Sequence, residues 1–202
     1  MMDAGVPESP LIEWCAQFVS RDKAFVDVGA HIGTWAWTLG PRAKCVHAFE
    51  PNRAVYNVLC ANIALKRQSE FTRTYNFGLS STADTLRYFT RSSDGGGNGF
   101  TRIGGEAHGI ELNVRPLDDF NIESVGFMKI DVEGHEKEVL QGATKTLEAS
   151  EYPPFVFESW ASWRHACAQD LRHTLFDYVL SLDYTIVPIA GFGEMFLATR
   201  TP

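Results

Sequence analysis

The feature that most constrains the fold of this chain is a regular alternation of short apolar runs with longer segments of helical periodicity. The apolar runs are bounded by Gly, Pro and Asp, which is typical of buried strands that end in turns. Strands that alternate with helices pack as a parallel sheet with helices on both of its faces. The sequence therefore predicts an α/β fold.

Seven strands and five helices are expected along the chain. The predicted strands are Ala24–Gly29, Lys44–Phe49, Phe71–Phe77, Val125–Val132, Pro154–Trp160, Tyr184–Ile189 and Glu194–Thr199. The predicted helices are Pro10–Arg21, one that begins near Ile32, Arg53–Leu65, Gly134–Ala149 and Trp163–Leu182. The short turn AGFG makes the last two strands antiparallel neighbours, whereas the earlier connections are crossovers. The prediction is a Rossmann-like fold with a mostly parallel seven-stranded sheet, an antiparallel last strand and helices on both faces, the form found in class I methyltransferases.

We expect residues 1–202 to form a single domain, because this length is within the usual range for one domain. Residues 1–22 are expected to contribute an N-terminal helix. Residues 80–117 interrupt the alternation with two β-like pieces, Thr85–Thr90 and Ile110–Arg115, on either side of the glycine-rich stretch SSDGGGNGFTRIGGE. This stretch is interpreted as the loop of an inserted hairpin. A second, compatible interpretation is a lid over a nearby pocket.

Charge and cysteine content narrow the classes of partner. The chain has 25 acidic and 18 basic residues, and no basic footprint for nucleic acid is visible. No stretch approaches the roughly 20 apolar residues of a membrane span, and the N-terminus lacks a signal-peptide pattern. The four cysteines are scattered without a Cys-x-x-Cys pair, which indicates reduced thiols rather than a zinc module. We expect a cytoplasmic protein that acts on a small-molecule or glycan acceptor, and the sequence leaves its oligomeric state open.

A glycine-containing loop follows the first predicted strand. Gly29 and Gly33 allow a ligand to approach the backbone closely, and His31 lies between them. The second strand leads into Glu50, where an acidic residue can accept hydrogen bonds from the ribose hydroxyls of a nucleoside cofactor. Because neighbouring parallel strands end at one edge of the sheet, the two features together predict a nucleoside site.

The spacing of the glycines selects between two nucleoside cofactors. A nicotinamide dinucleotide needs Gly-x-Gly-x-x-Gly to seat its pyrophosphate, and the middle glycine is here replaced by His31. S-adenosylmethionine has no phosphate and is compatible with the looser Gly-x-x-x-Gly loop. Asp27 is placed to orient the methionine end of that cofactor, directly or through water. The alternative is that Asp27 only caps the next helix.

Three charged residues alternate along a strand that should be buried. Lys129, Asp131 and Glu133 share one face of this strand. A buried charge without a partner is very costly, so we expect the three to pair at the carboxyl edge of the sheet, where ligands bind. Glu158, near the end of the next strand, is expected to join them. A purely structural network of ion pairs is the alternative interpretation.

Four segments of the chain resemble the FkbM-type methyltransferases. They are FVDVGAHIGTWAWTL, HAFEPNRAVYNVLCANIAL, LDDF and FMKIDVEGHEKEVLQGA. The resemblance extends from about Phe25 to Glu158 and is weak beyond that point. Its most specific piece is KIDVEG followed two residues later by an acid. The resemblance implies S-adenosylmethionine as cofactor and, as is usual in that family, O-methylation of an acceptor hydroxyl.

The resemblance also implies roles for individual residues. Cofactor contacts would fall on Asp27, Gly29, Gly33 and Glu50, and on Asn76 after the third strand. His31 departs from the family, which commonly has Asn there, and would change one polar contact beside the cofactor. Lys129, Asp131 and Glu133 would form the acceptor site.

Within this acceptor site we predict a division of roles. Asp131 is expected to lie nearest the reacting oxygen, and Glu133 to orient the acceptor or share the role of base. Lys129 is expected to hold the two carboxylates and to stabilise developing alkoxide charge. Glu158 and Trp160 are predicted to contact the substrate.

Two other classes of protein remain open at this point. One is a nicotinamide-dependent oxidoreductase, which the broken glycine pattern disfavours. The other is a non-catalytic binding module built on a cofactor fold, which the acidic residues at three strand ends disfavour. No metal is expected, because the histidines lack ligand spacing, although Asp131, Glu133 and Glu158 carry the oxygen ligands that Mg²⁺ prefers.

Overall fold

The computed structural model describes residues 9–89, 99–100, 110–159 and 168–200. Its helices are α1 Ser9–Cys15, α2 Thr34–Leu39, α3 Arg53–Leu65, α4 Glu136–Gln141, α5 Thr144–Ala149 and α6 Ala168–Ser181. Its first six strands are β1 Ala24–Val28, β2 Cys45–Phe49, β3 Thr72–Tyr75, β4 Gly78–Leu79, β5 Asp84–Phe89 and β6 Gly99–Phe100. The other five are β7 Ile110–Arg115, β8 Val125–Ile130, β9 Phe155–Glu158, β10 Thr185–Pro188 and β11 Met195–Thr199.

Seven strands form the main sheet in the order β10-β11-β9-β8-β1-β2-β3. β1 lies parallel to both β2 and β8, and β8 lies parallel to β9. β11 runs antiparallel to both of its neighbours. The predicted fold class, a mostly parallel sheet with an antiparallel last strand, is therefore confirmed.

Helical layers bury the central strands, and β1 completely. All five residues of β1 are buried, including Asp27. Val26 and Val28 belong to one apolar cluster, while Phe25 packs against the ring of Phe127 in a second cluster. Such two-sided burial explains why these strands read as continuous apolar runs.

The order of the strands fixes where a ligand can enter. From β1 the chain proceeds to β2 and β3 on one side and later returns to β8 on the other side. The loops that follow β1 and β8 therefore diverge at this position. A reversal of strand order of this kind opens a crevice outside the carboxyl ends of the strands.

A second, four-stranded sheet has the order β4-β7-β5-β6. β5 and β7, which include Thr85–Phe89 of the first β-like piece and all of the second, pair antiparallel, with Leu86 opposite Leu112. β4 pairs with β7 and brings Gly78 and Leu79 beside the main sheet. Most of the glycine-rich stretch lies outside the described residues, and the lid stays a prediction.

The prediction of one continuous helix at Gly134–Ala149 was wrong, because this segment forms two helices, α4 and α5. The break falls at Gly142, where a Cβ atom would lie 2.0 Å from the carbonyl oxygen of Ser80. The Asp118 carboxylate accepts hydrogen bonds from the amides of Lys145 and Thr146 and so begins α5 separately. Contact with the second sheet therefore overrides the helical periodicity.

Two other elements are shorter than the sequence predicted. α1 ends at Cys15 and tightens into a 3-10 turn over Ala16–Phe18, instead of continuing to Arg21. The third strand ends at Tyr75, because the chain crosses there to the second sheet. Residues 160–167, which include Trp160 and the predicted start of the last helix, lie outside the described part of the chain.

Candidate active site

A cleft of about 490 Å³ opens at the carboxyl ends of β1, β2 and β8. The second sheet closes one side of it through Gly78, Leu79 and Leu112. Among the predicted site residues, those that line this cleft are Gly29, His31, Glu50, Lys129, Asp131 and Glu133. The fold therefore brings together groups from three separate strand ends.

The loop after β1 has a conformation that requires glycine at two positions. Gly29 has φ +75°, and a Cβ atom there would lie 1.9 Å from the carbonyl oxygen of Asp131. Gly33 has φ +96°, and a Cβ atom there would lie 2.6 Å from a methyl carbon of Leu59 in α3. Gly33 does not line the cleft but allows α2 to pack closely on α3, and its contact with the cofactor stays a prediction. His31 also has a positive φ of 50°, a region in which Asn is favoured.

Glu50 presents an almost buried carboxylate to the cleft, with 8% of the residue exposed. One oxygen accepts the amide of His31 at 3.0 Å, and the other accepts the amide of Asn52 at 2.8 Å. A carboxylate oxygen has capacity for a second donor, so each can still accept a hydroxyl. Burial raises the pKa of Glu50, and the two amides oppose this effect by stabilising the charged form.

Asn76 stabilises the backbone that carries Glu50. Its side-chain amide donates to the carbonyl oxygens of Glu50 and Pro51, at 2.9 and 3.0 Å. Asn76 is not among the residues that line the cleft. Its predicted part in cofactor binding is thus accompanied by a structural one, which fixes the turn that carries Glu50.

Lys129 is the cation at the centre of the site, and only 4% of it is exposed. Its ammonium nitrogen donates to the carbonyl oxygen of Gly29 at 2.8 Å. It lies 3.3 Å from a carboxylate oxygen of Asp131 and 3.8 Å from one of Asp27. The pairing predicted for Lys129 and Asp131 is present, and it extends to Asp27 on the neighbouring strand.

Asp27 is fully buried, and the ammonium group of Lys129 is the cation beside it. Within the described ranges, neither of its carboxylate oxygens has a hydrogen-bond partner. Burial raises the pKa of Asp27 to about 6, although the nearby ammonium of Lys129 lowers it. A buried carboxylate in this condition is a place where a ligand cation or a bound water is stabilised.

Asp131 and Glu133 face the cleft beyond Lys129. The side chain of Asp131 is 29% exposed. Glu133 has a left-handed backbone, with φ 59°, and is followed by Gly134 at φ 95°. Burial together with the charges of Asp131 and Glu136 raises the pKa of Glu133 to about 7.

Glu136 lies next to the site, on the helix that follows Glu133, and the sequence predicted no role for it. Its residue is 4% exposed, and one carboxylate oxygen accepts the amides of Val132 and Gly134, each at 3.1 Å. Burial raises its pKa to about 7. The available signal was the acid that follows KIDVEG by two residues, which was noticed only as part of the resemblance.

Glu158 lies apart from the main cleft. It lines a smaller cavity of about 90 Å³ on the other side of the Gly134 turn, together with Glu136 and Arg172. Arg172 packs over the ring of Phe196, 4.7 Å from its centroid. The structure thus does not bring Glu158 into the Lys129 cluster as the sequence predicted, and Trp160 lies outside the described residues.

The described ranges contain no group of three or more His, Cys, Asp or Glu side chains arranged to hold a metal ion. None of their helices is long and apolar enough to cross a membrane.

The strand order and the cleft define a class I methyltransferase fold. The sequence model of the methyltransferase FkbM domain matches residues 27–166, more than half of the chain. The chain belongs to this FkbM methyltransferase domain family, as the resemblance had predicted.

Three relatives illustrate the comparison. Hexuronic acid methyltransferase AglP of Haloferax volcanii is 29% identical over 148 residues, which cover 70% of this chain and 59% of that protein. This chain therefore spans about three fifths of that curated relative. The crystal structure of methyltransferase FkbM from Methylobacillus flagellatus superposes with a TM-score of 0.59 at 20% identity, over 89% of this chain and 44% of the other. A Streptococcus mutans structure, described as a methyltransferase in complex with SAH, gives 0.63 at 11% identity, over 96% and 98%.

Proposed function

We propose that this protein is an S-adenosylmethionine-dependent methyltransferase that methylates a hydroxyl group of a sugar, a lipid-linked glycan or a small molecule. The observation that carries the proposal is the Glu50 carboxylate. Two backbone amides orient it at the end of β2 and leave its remaining acceptor capacity to the cleft. That arrangement suits the paired hydroxyls of a ribose.

The remaining residues fit this cofactor better than a dinucleotide. Asp27 lies buried next to the start of the loop, 3.8 Å from the ammonium nitrogen of Lys129, and is placed to orient the ammonium group of a methionine moiety through water. The loop has His31 where a pyrophosphate site needs glycine. The family assignment points the same way and disfavours an oxidoreductase.

When bound, the cofactor would supply a methyl group on a sulfonium, an electrophile that needs no further activation. The chain must then position an acceptor hydroxyl and accept its proton. Besides Glu50, which is assigned to the cofactor, Asp131 and Glu133 are the carboxylates that line the cleft. Asp131 is paired with Lys129, whereas the pKa of Glu133, at about 7, is well matched to proton transfer near neutral pH. We therefore assign the base to Glu133 and the orientation of the acceptor to Asp131.

The acceptor class is supported by two observations. The relative AglP is named for a hexuronic acid substrate. The smaller cavity beside Gly134 presents Glu158 and Arg172, side chains that can hydrogen-bond sugar hydroxyls.

Calorimetric titration with S-adenosylhomocysteine and with NAD tests the cofactor assignment. We expect S-adenosylhomocysteine to bind and NAD not to bind. Glu50→Ala should weaken binding by about 10²-fold, because buried charge-assisted hydrogen bonds are lost. Glu70→Ala, a change at an exposed glutamate, is the matched control and should have no effect. Binding of NAD in place of S-adenosylhomocysteine would refute the assignment.

The acceptor is tested with oligosaccharides that end in either glucuronic acid or glucose. Mass spectrometry after incubation with S-adenosylmethionine should show a gain of one methyl group. The position of the new ether, read from fragment ions, should be a hydroxyl oxygen. Methylation of nitrogen or of a carboxylate in these or other acceptors would contradict the proposed O-methylation of a hydroxyl.

A further inference from the structure

The chain leaves β8 through a turn with two successive positive φ angles. Glu133 has φ 59° and Gly134 has φ 95°. Glycine adopts such angles freely, but a glutamate rarely does. A residue in this conformation persists only where its surroundings hold it in place.

Glu136 provides that restraint. One oxygen of its carboxylate accepts the amide of Val132 and the amide of Gly134, at 3.1 Å each. These two amides stand immediately before and after Glu133 in the chain. Since Glu136 is also the first residue of α4, its carboxylate ties the turn to the start of that helix.

The two hydrogen bonds from the amides of Val132 and Gly134 to Glu136 form a bridge across Glu133. Because Glu136 is buried, water does not compete for these hydrogen bonds. Only 4% of the residue is exposed. It faces the smaller cavity and does not line the main cleft, whereas Glu133 does. A side chain in this position acts on the cleft through the backbone of the turn.

We infer that Glu136 is a positioning residue, whose carboxylate holds the left-handed turn and thereby presents Glu133 to the cleft. The importance of Glu133 rests on the proposed function. The bridge itself rests on the geometry alone. Glu136 has no direct contact with the cleft and is therefore not a catalytic residue.

Three variants of the full chain test this role. Glu136→Gln keeps an oxygen that can accept both amides, while Glu136→Leu has none. Glu148→Leu makes the same change at an exposed position in α5 and is the control. Hydrogen exchange of the Val132 and Gly134 amides, followed by NMR, should be at least about tenfold faster in Glu136→Leu. It should stay within about threefold of the wild-type rate in the other two variants.

A second measurement follows the titration of Glu133 directly. The carboxyl carbons of glutamate are labelled with ¹³C, and Glu133→Gln assigns the resonance. The charge of Glu136 raises the pKa of Glu133, so Glu136→Gln should lower this pKa. Glu136→Leu removes the same charge, so a role of Glu136 limited to starting α4 predicts the same pKa of Glu133 in both variants, whereas a role in positioning Glu133 predicts a different pKa in Glu136→Leu.

The inference is overturned if the two amides exchange slowly in Glu136→Leu, or if Glu136→Gln exchanges as fast as Glu136→Leu. Should Glu136→Leu not fold, Glu136→Gln decides: retained protection with a lowered pKa of Glu133 supports the role, and any other result contradicts it. Neither measurement uses a cofactor, an acceptor or turnover. A failure here is therefore distinguishable from a failure of the proposed methyl transfer.

Discussion

Asp27 is buried beside Lys129 with no hydrogen bond to its oxygens from the described residues, and this makes its contribution to stability depend on pH. Its pKa is about 6 in the folded protein and 3.8 in the reference state. The folded protein therefore binds this proton more tightly than the unfolded chain does. The stability that the protonated form contributes is present below pH 4 and is lost as the pH rises through about 6.

Asp27→Asn removes this dependence. We expect the free energy of unfolding of the variant, relative to wild type, to rise by about 1–3 kcal/mol between pH 4 and pH 8, since one pKa unit corresponds to about 1.4 kcal/mol. Urea denaturation at the two pH values measures it. Asp177→Asn, at an exposed position in α6, is the control and should show no such trend. A difference that falls with rising pH would show that the ion pair with Lys129 outweighs the burial of Asp27.

Asp131 and Glu133 compete for the role of base, and the pH dependence of kcat/KM separates them. If Glu133 accepts the proton, Glu133→Gln should lose about 10²–10⁴-fold in rate. Asp131→Asn should keep more activity, and its acidic limb should move to lower pH, because the charge of Asp131 raises the pKa of Glu133. If Asp131→Asn is the more damaging change and the limb does not move, Asp131 is the base, as the sequence reasoning had it.

At the scale of elements, the approach of the loop after β1 to the end of β8 defines the site. Gly29 leaves no room for a side chain against the carbonyl oxygen of Asp131. Gly29→Ala should therefore destabilise the fold by about 3 kcal/mol or more, from the clash and the positive φ together. Gly193→Ala, where an added Cβ meets nothing within 4 Å, should cost less than about 1 kcal/mol. Urea denaturation compares the free energies of unfolding of the two variants. Equal losses would mean that the close approach of Gly29 to Asp131 does not contribute to stability.

The sequence predicted these elements well where a local pattern governs them. Burial on both faces of β1 and β8 leaves apolar runs that are visible without a structure. The break at Gly142 was not predictable, because its cause is the carbonyl of Ser80 in a distant part of the chain.

The residues of the candidate site also divide into those that a local pattern places and those that depend on distant contacts. Glu50 and Asp27 could be placed because strand ends share an edge, which is a property of the fold class. The bridge from Glu136 could not, because alternation along a strand says nothing about a left-handed turn beyond its end. Glu158 was expected in the cluster because β8 and β9 are neighbours, but it lines the smaller cavity, whereas Lys129 lines the main cleft.

At the scale of the whole molecule, the cleft lies between the two sheets. Leu79 and Leu112 of the second sheet face Val28 and Phe49 of the main sheet across it. A hydrogen bond between the side chains of Ser80 and His135, 2.9 Å long, joins the second sheet to the start of α4. A ligand in this cleft would touch both sheets and should stabilise them together.

S-adenosylhomocysteine should therefore stabilise the molecule globally. At a concentration one hundred times its Kd, a ligand that binds only the folded state contributes about 2.7 kcal/mol. For a chain of this size that corresponds to a rise in Tm of about 5–10 °C. Amide exchange should slow at Leu112 in β7 as well as at Gly29, because both residues line the cleft. Glu50→Ala at the same ligand concentration should show a much smaller rise in Tm. Protection confined to the loop after β1, with Leu112 unchanged, would show that the second sheet takes no part in binding this ligand.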